Sequence, residues 1–138
     1  MSYPDNGGNA GDRLPWHLAV AFTLLLVYAS LHPFIGWRDL GAPPLAWLGA
    51  GWPHYYTGFD MVSNVAIYLP LGFLWLTVFH GDSDLRWRVL AVTLAGALLS
   101  AAVETTQNYL PTRVPSNIDL ACNAVGTLTG ALLGASWG

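Results

Sequence analysis

The stretch that decides the fold reads Glu104-Thr-Thr-Gln-Asn-Tyr-Leu-Pro-Thr-Arg-Val-Pro-Ser-Asn-Ile-Asp-Leu-Ala-Cys-Asn123. Within these twenty residues it holds two carboxylates, one guanidinium and several side-chain amides. Pro111 and Pro115 break helical structure and predict a tight turn near its middle. The flanking runs, residues 89 to 103 and 120 to 138, carry no charge at all. The stretch therefore predicts two apolar helices joined by a polar loop.

The rest of the chain is equally poor in charge. Only 9% of its 138 residues are charged and 54% are hydrophobic, whereas soluble domains carry about 25% charged residues. Two further charge-free runs lie between Arg13 and Arg38 and between Asp60 and Asp82. A helix that crosses a hydrocarbon core about 30 Å thick needs about 20 residues. The sequence therefore predicts an all-α integral membrane protein with four transmembrane helices in a small bundle.

The predicted domain boundaries follow from the same composition. Residues 1 to 13 are rich in Gly, Asn and Asp and are expected to form a flexible tail, and residues 14 to 138 a single four-helix domain. The tail lacks the basic start and cleavage site of a signal peptide, so the first apolar run is expected to stay in the mature chain. The helices are predicted at about residues 14 to 35, 59 to 79, 87 to 109 and 118 to 137.

The connection between the first two predicted helices, residues 36 to 56, is unusual. It is rich in Gly and Pro, which break helices, yet it keeps five aromatic side chains. This composition favours a segment that lies in the membrane interface or folds over the bundle. A plain connecting loop with aromatic anchors is the alternative.

Four crossings place both termini on one side of the membrane. Arg13, Arg86 and Arg88 would share that side, against Arg38 and Arg113 on the other, which favours cytoplasmic termini by the positive-inside rule. The same topology brings the starts of helices 2 and 4 and the end of helix 3 to the opposite, external face. Polar side chains are concentrated there, and the predicted binding site comprises His54, Asp60, Asn64, Glu104, Gln107, Arg113, Asp119 and Asn123.

The charges of this cluster do not balance. An ionised carboxylate at the centre of a membrane helix costs about 2.5–3.5 kcal/mol on insertion scales, and less near the interface. Arg113 is the expected partner of Glu104, because a guanidinium can clamp a carboxylate with two hydrogen bonds. Asp60 and Asp119 would compete for the same arginine. Either one acid stays protonated, or a cation or a cationic headgroup enters the site.

Other interpretations of the cluster stay open. The amides of Asn64, Gln107 and Asn123 could serve only to join helices, with Glu104 and Arg113 as a latch. Glu104 and Asp119 could perform acid–base chemistry, although the sequence has no nucleophile motif and no phosphate-binding loop. His54, Asp60 and Glu104 could form a hard-cation site, but their spacing is not typical of one. No metal, cofactor or catalytic residue is predicted.

The last predicted helix suggests a protein contact. Gly126, Gly130 and Gly134 form two overlapping G-x-x-x-G units, and such stripes let membrane helices approach closely. This face could pack against a larger membrane protein complex. Membrane lipids are the other expected partners. A net charge of −3 gives no footprint for nucleic acid.

Taken together, these residues resemble the VanZ-like family of small helical membrane proteins. The resemblance covers about residues 16 to 134 and rests on Asp60-x-x-x-Asn64, Tyr68-Leu-Pro-Leu-Gly-Phe73, Glu104-x-x-Gln107, Arg113 and Asp119-x-x-x-Asn123. It implies a multi-pass protein of the bacterial cytoplasmic membrane, in a family whose founding member is linked to teicoplanin resistance. The loop after the family's arginine often holds a further acid, but Pro115-Ser-Asn117 stands there in this chain.

Three functions are compatible with these features. The leading hypothesis is that the polar site binds the headgroup of an envelope lipid or a cell-wall precursor. An accessory subunit packed against a larger membrane complex is the first alternative. An enzyme that acts on a lipid-linked substrate is the second.

Overall fold

The computed structural model describes residues 13–39, 41, 43–51, 57–79, 83–111 and 113–137. Four α-helices dominate it: α1 (Leu14–Leu31), α2 (Gly58–Val78), α3 (Leu85–Gln107) and α4 (Asn117–Trp137). All four are long and apolar enough to cross a membrane. The described residues contain no strand, and a single 3-10 turn spans Ala46–Gly49. The predicted all-α, four-helix membrane architecture is therefore confirmed.

Local hydrogen bonds set where α2 and α3 begin. At the start of α2 the Thr57 hydroxyl accepts a hydrogen bond from the Asp60 N–H, and the Asp60 carboxylate accepts one from the Thr57 N–H. This reciprocal pair is a capping box. At α3 the Asp84 carboxylate accepts hydrogen bonds from the side chain and the backbone N–H of Arg86, which lower the pKa of Asp84.

The closest helix pair is α2 with α4, and glycines make it possible. Gly126 lies against the backbone of Val65, and Gly130 lies against the carbonyl of Leu69. A Cβ atom at either glycine would collide with those main-chain oxygens. Small residues let backbones approach closely where lipid gives no hydrophobic drive for association. The glycine stripe of α4 therefore packs against α2 of the same chain.

This arrangement shows what the glycine stripe of α4 contacts inside the chain. From the sequence, the face formed by Gly126, Gly130 and Gly134 could pack against a larger membrane complex. In the structure α2 covers that face, because the backbones of Val65, Leu69 and Phe73 lie directly on it. The glycine stripe is therefore buried against α2 inside the chain, and membership of a larger complex stays a prediction.

The other two helices pack around this pair. Gly96 of α3 faces the side chain of Thr127 in α4, and Leu76, Val89, Val92 and Ala131 form a core cluster among α2, α3 and α4. Helix α1 is peripheral: it buries only Ala19, Leu26 and Leu31, whereas α4 buries seven residues. One side of α1 therefore faces outward along most of its length.

Part of the connection between α1 and α2 folds over one end of the bundle. Trp47 is 5% exposed, and its indole N–H donates to the Thr105 hydroxyl at 3.3 Å. The Asn117 amide donates to the carbonyls of Leu48 and Ala50 at 3.2 and 2.7 Å. Of the two predicted arrangements, the described part of the segment adopts the one packed on the bundle. The predicted flexible tail, apart from Arg13, lies outside the described residues.

Candidate functional site

A cavity of about 350 Å³ lies at the end of the bundle where α1 and α3 end and α2 and α4 begin. Its walls come from the end of α1, the start of α2, the end of α3 and the start of α4. Six of the eight predicted site residues line it: Asn64, Glu104, Gln107, Arg113, Asp119 and Asn123. Ser30 and Tyr68 add further polar atoms. The predicted convergence of polar groups at one end of the bundle is therefore present in the structure.

Glu104 occupies the last turn of α3 and is only 3% exposed. Its Oε2 accepts a hydrogen bond from the backbone N–H of Ser116 at 2.9 Å. The Ser116 hydroxyl in turn accepts the backbone N–H groups of Ile118 and Asp119, which begin α4. The bond from the Ser116 N–H is the only protein hydrogen bond of the Glu104 carboxylate among the described residues. It leaves Oε1 available to a ligand.

Asp119 and Asn64 join the starts of α4 and α2. The Asn64 side-chain amide donates to Asp119 Oδ1 at 2.9 Å and to the Asp60 carbonyl at 2.9 Å. Asp119 lies in the first turn of α4, where the positive end of the helix dipole stabilises a carboxylate. The pair therefore holds a second acidic group at the cavity wall.

One predicted site residue, Asp60, lies outside the cavity wall, and another, His54, is not among the described residues. Asp60 caps α2, with its carboxylate oxygen bonded to the backbone N–H and the hydroxyl of Thr57 at 3.0 and 2.8 Å. It does not line the cavity. His54 lies outside the described residues. Among the described residues, no three His, Cys, Asp or Glu side chains converge to hold a metal ion.

Asn123 is the most buried polar side chain of the cavity wall, at 2% exposure. Its amide nitrogen donates to the Ser100 hydroxyl at 2.8 Å. Its carbonyl oxygen, Oδ1, has no hydrogen-bond partner in the part of the chain that the structure describes. A buried polar atom without a partner costs about 1–3 kcal/mol. A donor supplied by a ligand in the cavity would remove that cost.

Arg113 does not pair with Glu104, so the predicted ion pair is wrong. Its Nε and Nη2 donate to the His32 carbonyl at 3.2 and 2.8 Å, and Nη2 also donates to the Ala29 carbonyl at 3.0 Å. These carbonyls belong to the C-terminal end of α1. The last carbonyl groups of a helix have no hydrogen-bond partner within the helix, and this end of the helix dipole is negative. Among the described residues, the one ion pair with nitrogen and oxygen within 4 Å joins Arg86 to Asp84, and it does not involve Arg113.

A second, apolar cavity of about 420 Å³ lies further along the same bundle. On each helix the residues that line the two cavities are three or four positions apart, which is one helical turn. The pairs are Leu26 and Thr23, Tyr68 and Leu71, Val103 and Leu99, and Asn123 and Thr127. Trp75 and Phe79 extend the apolar wall. The polar cavity is therefore stacked on an apolar one.

Several residues of the site were missed in the sequence. Ser116 could have been found, because a serine before Ile118 and Asp119 is a typical helix N-cap. Tyr68 lies one turn after Asn64, and Ser100 one turn before Glu104, so their faces follow from helical periodicity. Ser30 has no such signal, because its carbonyl is reached only when α1 packs beside Gln107.

The comparisons with known proteins agree with this architecture. A family model described as VanZ/LLP1 matches residues 13–137. No curated protein and no solved structure matches the chain. The family match includes all four helices and every residue that lines the polar cavity. The chain therefore belongs to the VanZ/LLP1 family.

Proposed function

We propose that the protein binds the headgroup of an envelope lipid or a lipid-linked cell-wall precursor in the polar cavity. The stacking of that cavity on an apolar one supports this proposal most directly. A ligand that fits both must be amphiphilic, with a polar end between Glu104 and Asn123 and an apolar chain between Thr23 and Leu99. Binding sites of this kind combine apolar walls with a few convergent polar groups.

The packing of the helices supports access from the bilayer. The apolar cavity lies between α1 and α3, and these two helices contact each other far less than α2 contacts α4. Because α1 is also the peripheral helix, a chain can slide between α1 and α3 without separating the glycine-packed pair. Membrane lipid surrounds the gap between α1 and α3, so an acyl or isoprenoid chain is the expected occupant of the apolar cavity.

The direction of the site in the membrane is part of the proposal. Arg13, Arg86 and Arg88 lie at the end of the bundle away from the cavity, and Arg38 and Arg113 lie at its own end. An excess of arginine marks the cytoplasmic side. The cavity would then open at the external face of a bacterial cytoplasmic membrane, where cell-wall precursors are used.

Photolabelling of the full chain in lipid nanodiscs tests the proposal. The probes are phosphatidylethanolamine and phosphatidylglycerol that carry a diazirine in one acyl chain. We expect labelling of Leu99, which lines the apolar cavity, to fall several-fold in an Asn123→Leu variant. Leu98 is the matched control, because it lies at the same depth, is 71% exposed and should label equally in both proteins. Equal labelling of Leu99 in both proteins would contradict the proposal.

The two alternatives predict different results. An accessory subunit would leave native membranes in a larger complex under mild detergent, and its cavity variants would leave lipid labelling unchanged. An enzyme acting on a lipid-linked substrate would lose turnover in Glu104→Gln while lipid labelling of Leu99 persists. Neither result is expected from a lipid-binding site.

A further inference from the structure

We infer that the part of the ligand held in the polar cavity is a primary ammonium group, and not a phosphate. This inference rests on the proposed function, because it names the headgroup chemistry of the same site. It depends on which polar atoms the protein already uses for its own contacts and which it leaves to a ligand. Those two sets differ sharply in this cavity.

The hydrogen-bond donors of the cavity wall are mostly engaged within the protein. The amides of Asn64, Gln107 and Asn123 donate to Asp119, to the Ser30 carbonyl and to Ser100, respectively. The guanidinium of Arg113 directs Nε and Nη2 to the carbonyls that end α1. A phosphate only accepts hydrogen bonds. Apart from Nη1 of Arg113, which makes none of these contacts, it would meet few open donors here. It would also lie beside the two acidic side chains of the wall, Glu104 and Asp119.

The open atoms are acceptors. Glu104 uses Oε2 for Ser116, and within the described residues its Oε1 has no protein partner. Asn123 Oδ1 is buried and has no partner in the described part of the chain. These two atoms belong to residues 3% and 2% exposed, on α3 and α4. Asn123 Oδ1 needs a hydrogen-bond donor, and Glu104 in its ionised form needs a positive charge as well.

A primary ammonium meets both needs in one group. It has three N–H donors and no acceptor, so it can pair with the Glu104 carboxylate and donate to Asn123 Oδ1 together. Hydrogen bonds between ions are about twice as strong as neutral ones. A buried carboxylate is costly unless it is paired. The ammonium would therefore pair with Glu104, with which Arg113 makes no ion pair.

The ammonium could come from an aminophospholipid headgroup or from a soluble amine. The apolar cavity one turn deeper fits the lipid source. The two sources are separated by using probes that differ in one group. Phosphatidylethanol has the phosphate and acyl chains of phosphatidylethanolamine and lacks only its ammonium. Soluble ethanolamine has the ammonium and lacks the chains.

The experiment measures binding of dioleoyl-phosphatidylethanolamine and dioleoyl-phosphatidylethanol to the full chain in detergent micelles. We expect the wild type to bind phosphatidylethanolamine about tenfold more tightly, which corresponds to about 1.4 kcal/mol, because only this lipid brings a charged donor to Glu104. Glu104→Gln should remove that preference and keep an oxygen for the Ser116 N–H. Asp39→Asn is the control, because it removes an exposed carboxylate that does not line the cavity.

Asn123→Leu provides a second variant in case Glu104→Gln does not fold, and it should also reduce the preference. The wild-type comparison of the two lipids needs no variant at all. Equal affinity for both lipids would overturn the inference, and the proposed lipid binding would stand if Leu99 is still labelled. Glu104-dependent binding of ethanolamine with no lipid labelling would support the ammonium and overturn the lipid. No binding of either probe would overturn both.

Discussion

Glu104 Oε2 and the backbone nitrogen of Ser116 lie 2.9 Å apart, and both residues are buried. This one hydrogen bond joins the last turn of α3 to the residue that precedes α4. It closes the polar loop into a helical hairpin and at the same time fixes the carboxylate at the cavity wall. The acid is therefore structural on one oxygen and open to a ligand on the other.

Replacing Glu104 should separate these two roles. Glu104→Ala leaves the buried Ser116 N–H without its acceptor, which costs about 1–3 kcal/mol of unfolding free energy. Glu104→Gln keeps an oxygen in the same position and should lose clearly less. Thermal unfolding followed by circular dichroism in detergent measures both. If the two variants were equally stable, the hydrogen bond to Ser116 would not hold the hairpin.

Much of the fold follows from the placement of charge along the sequence. The charge-free runs predicted all four helices, and the ends of α2, α3 and α4 lie within two residues of the predicted ones. The first helix was predicted to reach residue 35, yet α1 ends at Leu31. Pro33 explains the difference, because the residue before a proline is biased away from helical geometry. Apolar composition alone therefore overestimates a helix that a proline ends.

The site was harder to predict, for two physical reasons. Helical spacing predicts that Asp60 shares the cavity with Asn64, but a threonine three residues earlier gives the Asp60 carboxylate a local partner. The sequence predicts that Arg113 pairs with Glu104, because it does not show that the open carbonyls of α1 lie beside the arginine. Local hydrogen bonds and helix ends compete for charged side chains. Only the packed structure shows which of these partners a charged side chain binds.

The glycine packing of α2 against α4 gives a second prediction. Gly130→Ala places a methyl group against the Leu69 carbonyl, so the helices must move apart. Overpacking of this kind costs about 1–3 kcal/mol. Gly58→Ala is the matched control, because nothing lies within 4 Å of its Cβ position. Unfolding titrations in mixed detergent compare the two. A Gly130→Ala protein as stable as the control would contradict the observed helix contact.

The capping box of α2 gives a third prediction, which separates Asp60 from the binding site. Thr57→Ala and Asp60→Ala should each lower the free energy of unfolding by about 0.5–2 kcal/mol, the usual cost of losing a helix cap. Phosphatidylethanolamine binding should be unchanged in both, because neither residue lines the cavity. If Asp60→Ala alone lost binding while both variants had the same free energy of unfolding, Asp60 would belong to the binding site.

The relation between Arg113 and Glu104 gives the last prediction. The guanidinium holds the end of α1 and makes no ion pair with the carboxylate. Arg113→Gln should therefore destabilise the protein by about 1–2 kcal/mol through lost hydrogen bonds to carbonyls. Its effect should add to that of Glu104→Gln within about 0.5 kcal/mol, as for residues that do not interact directly. A double-mutant cycle of unfolding free energies measures this. A coupling above about 1 kcal/mol would mean that the two side chains form a direct pair, as contacting charges do.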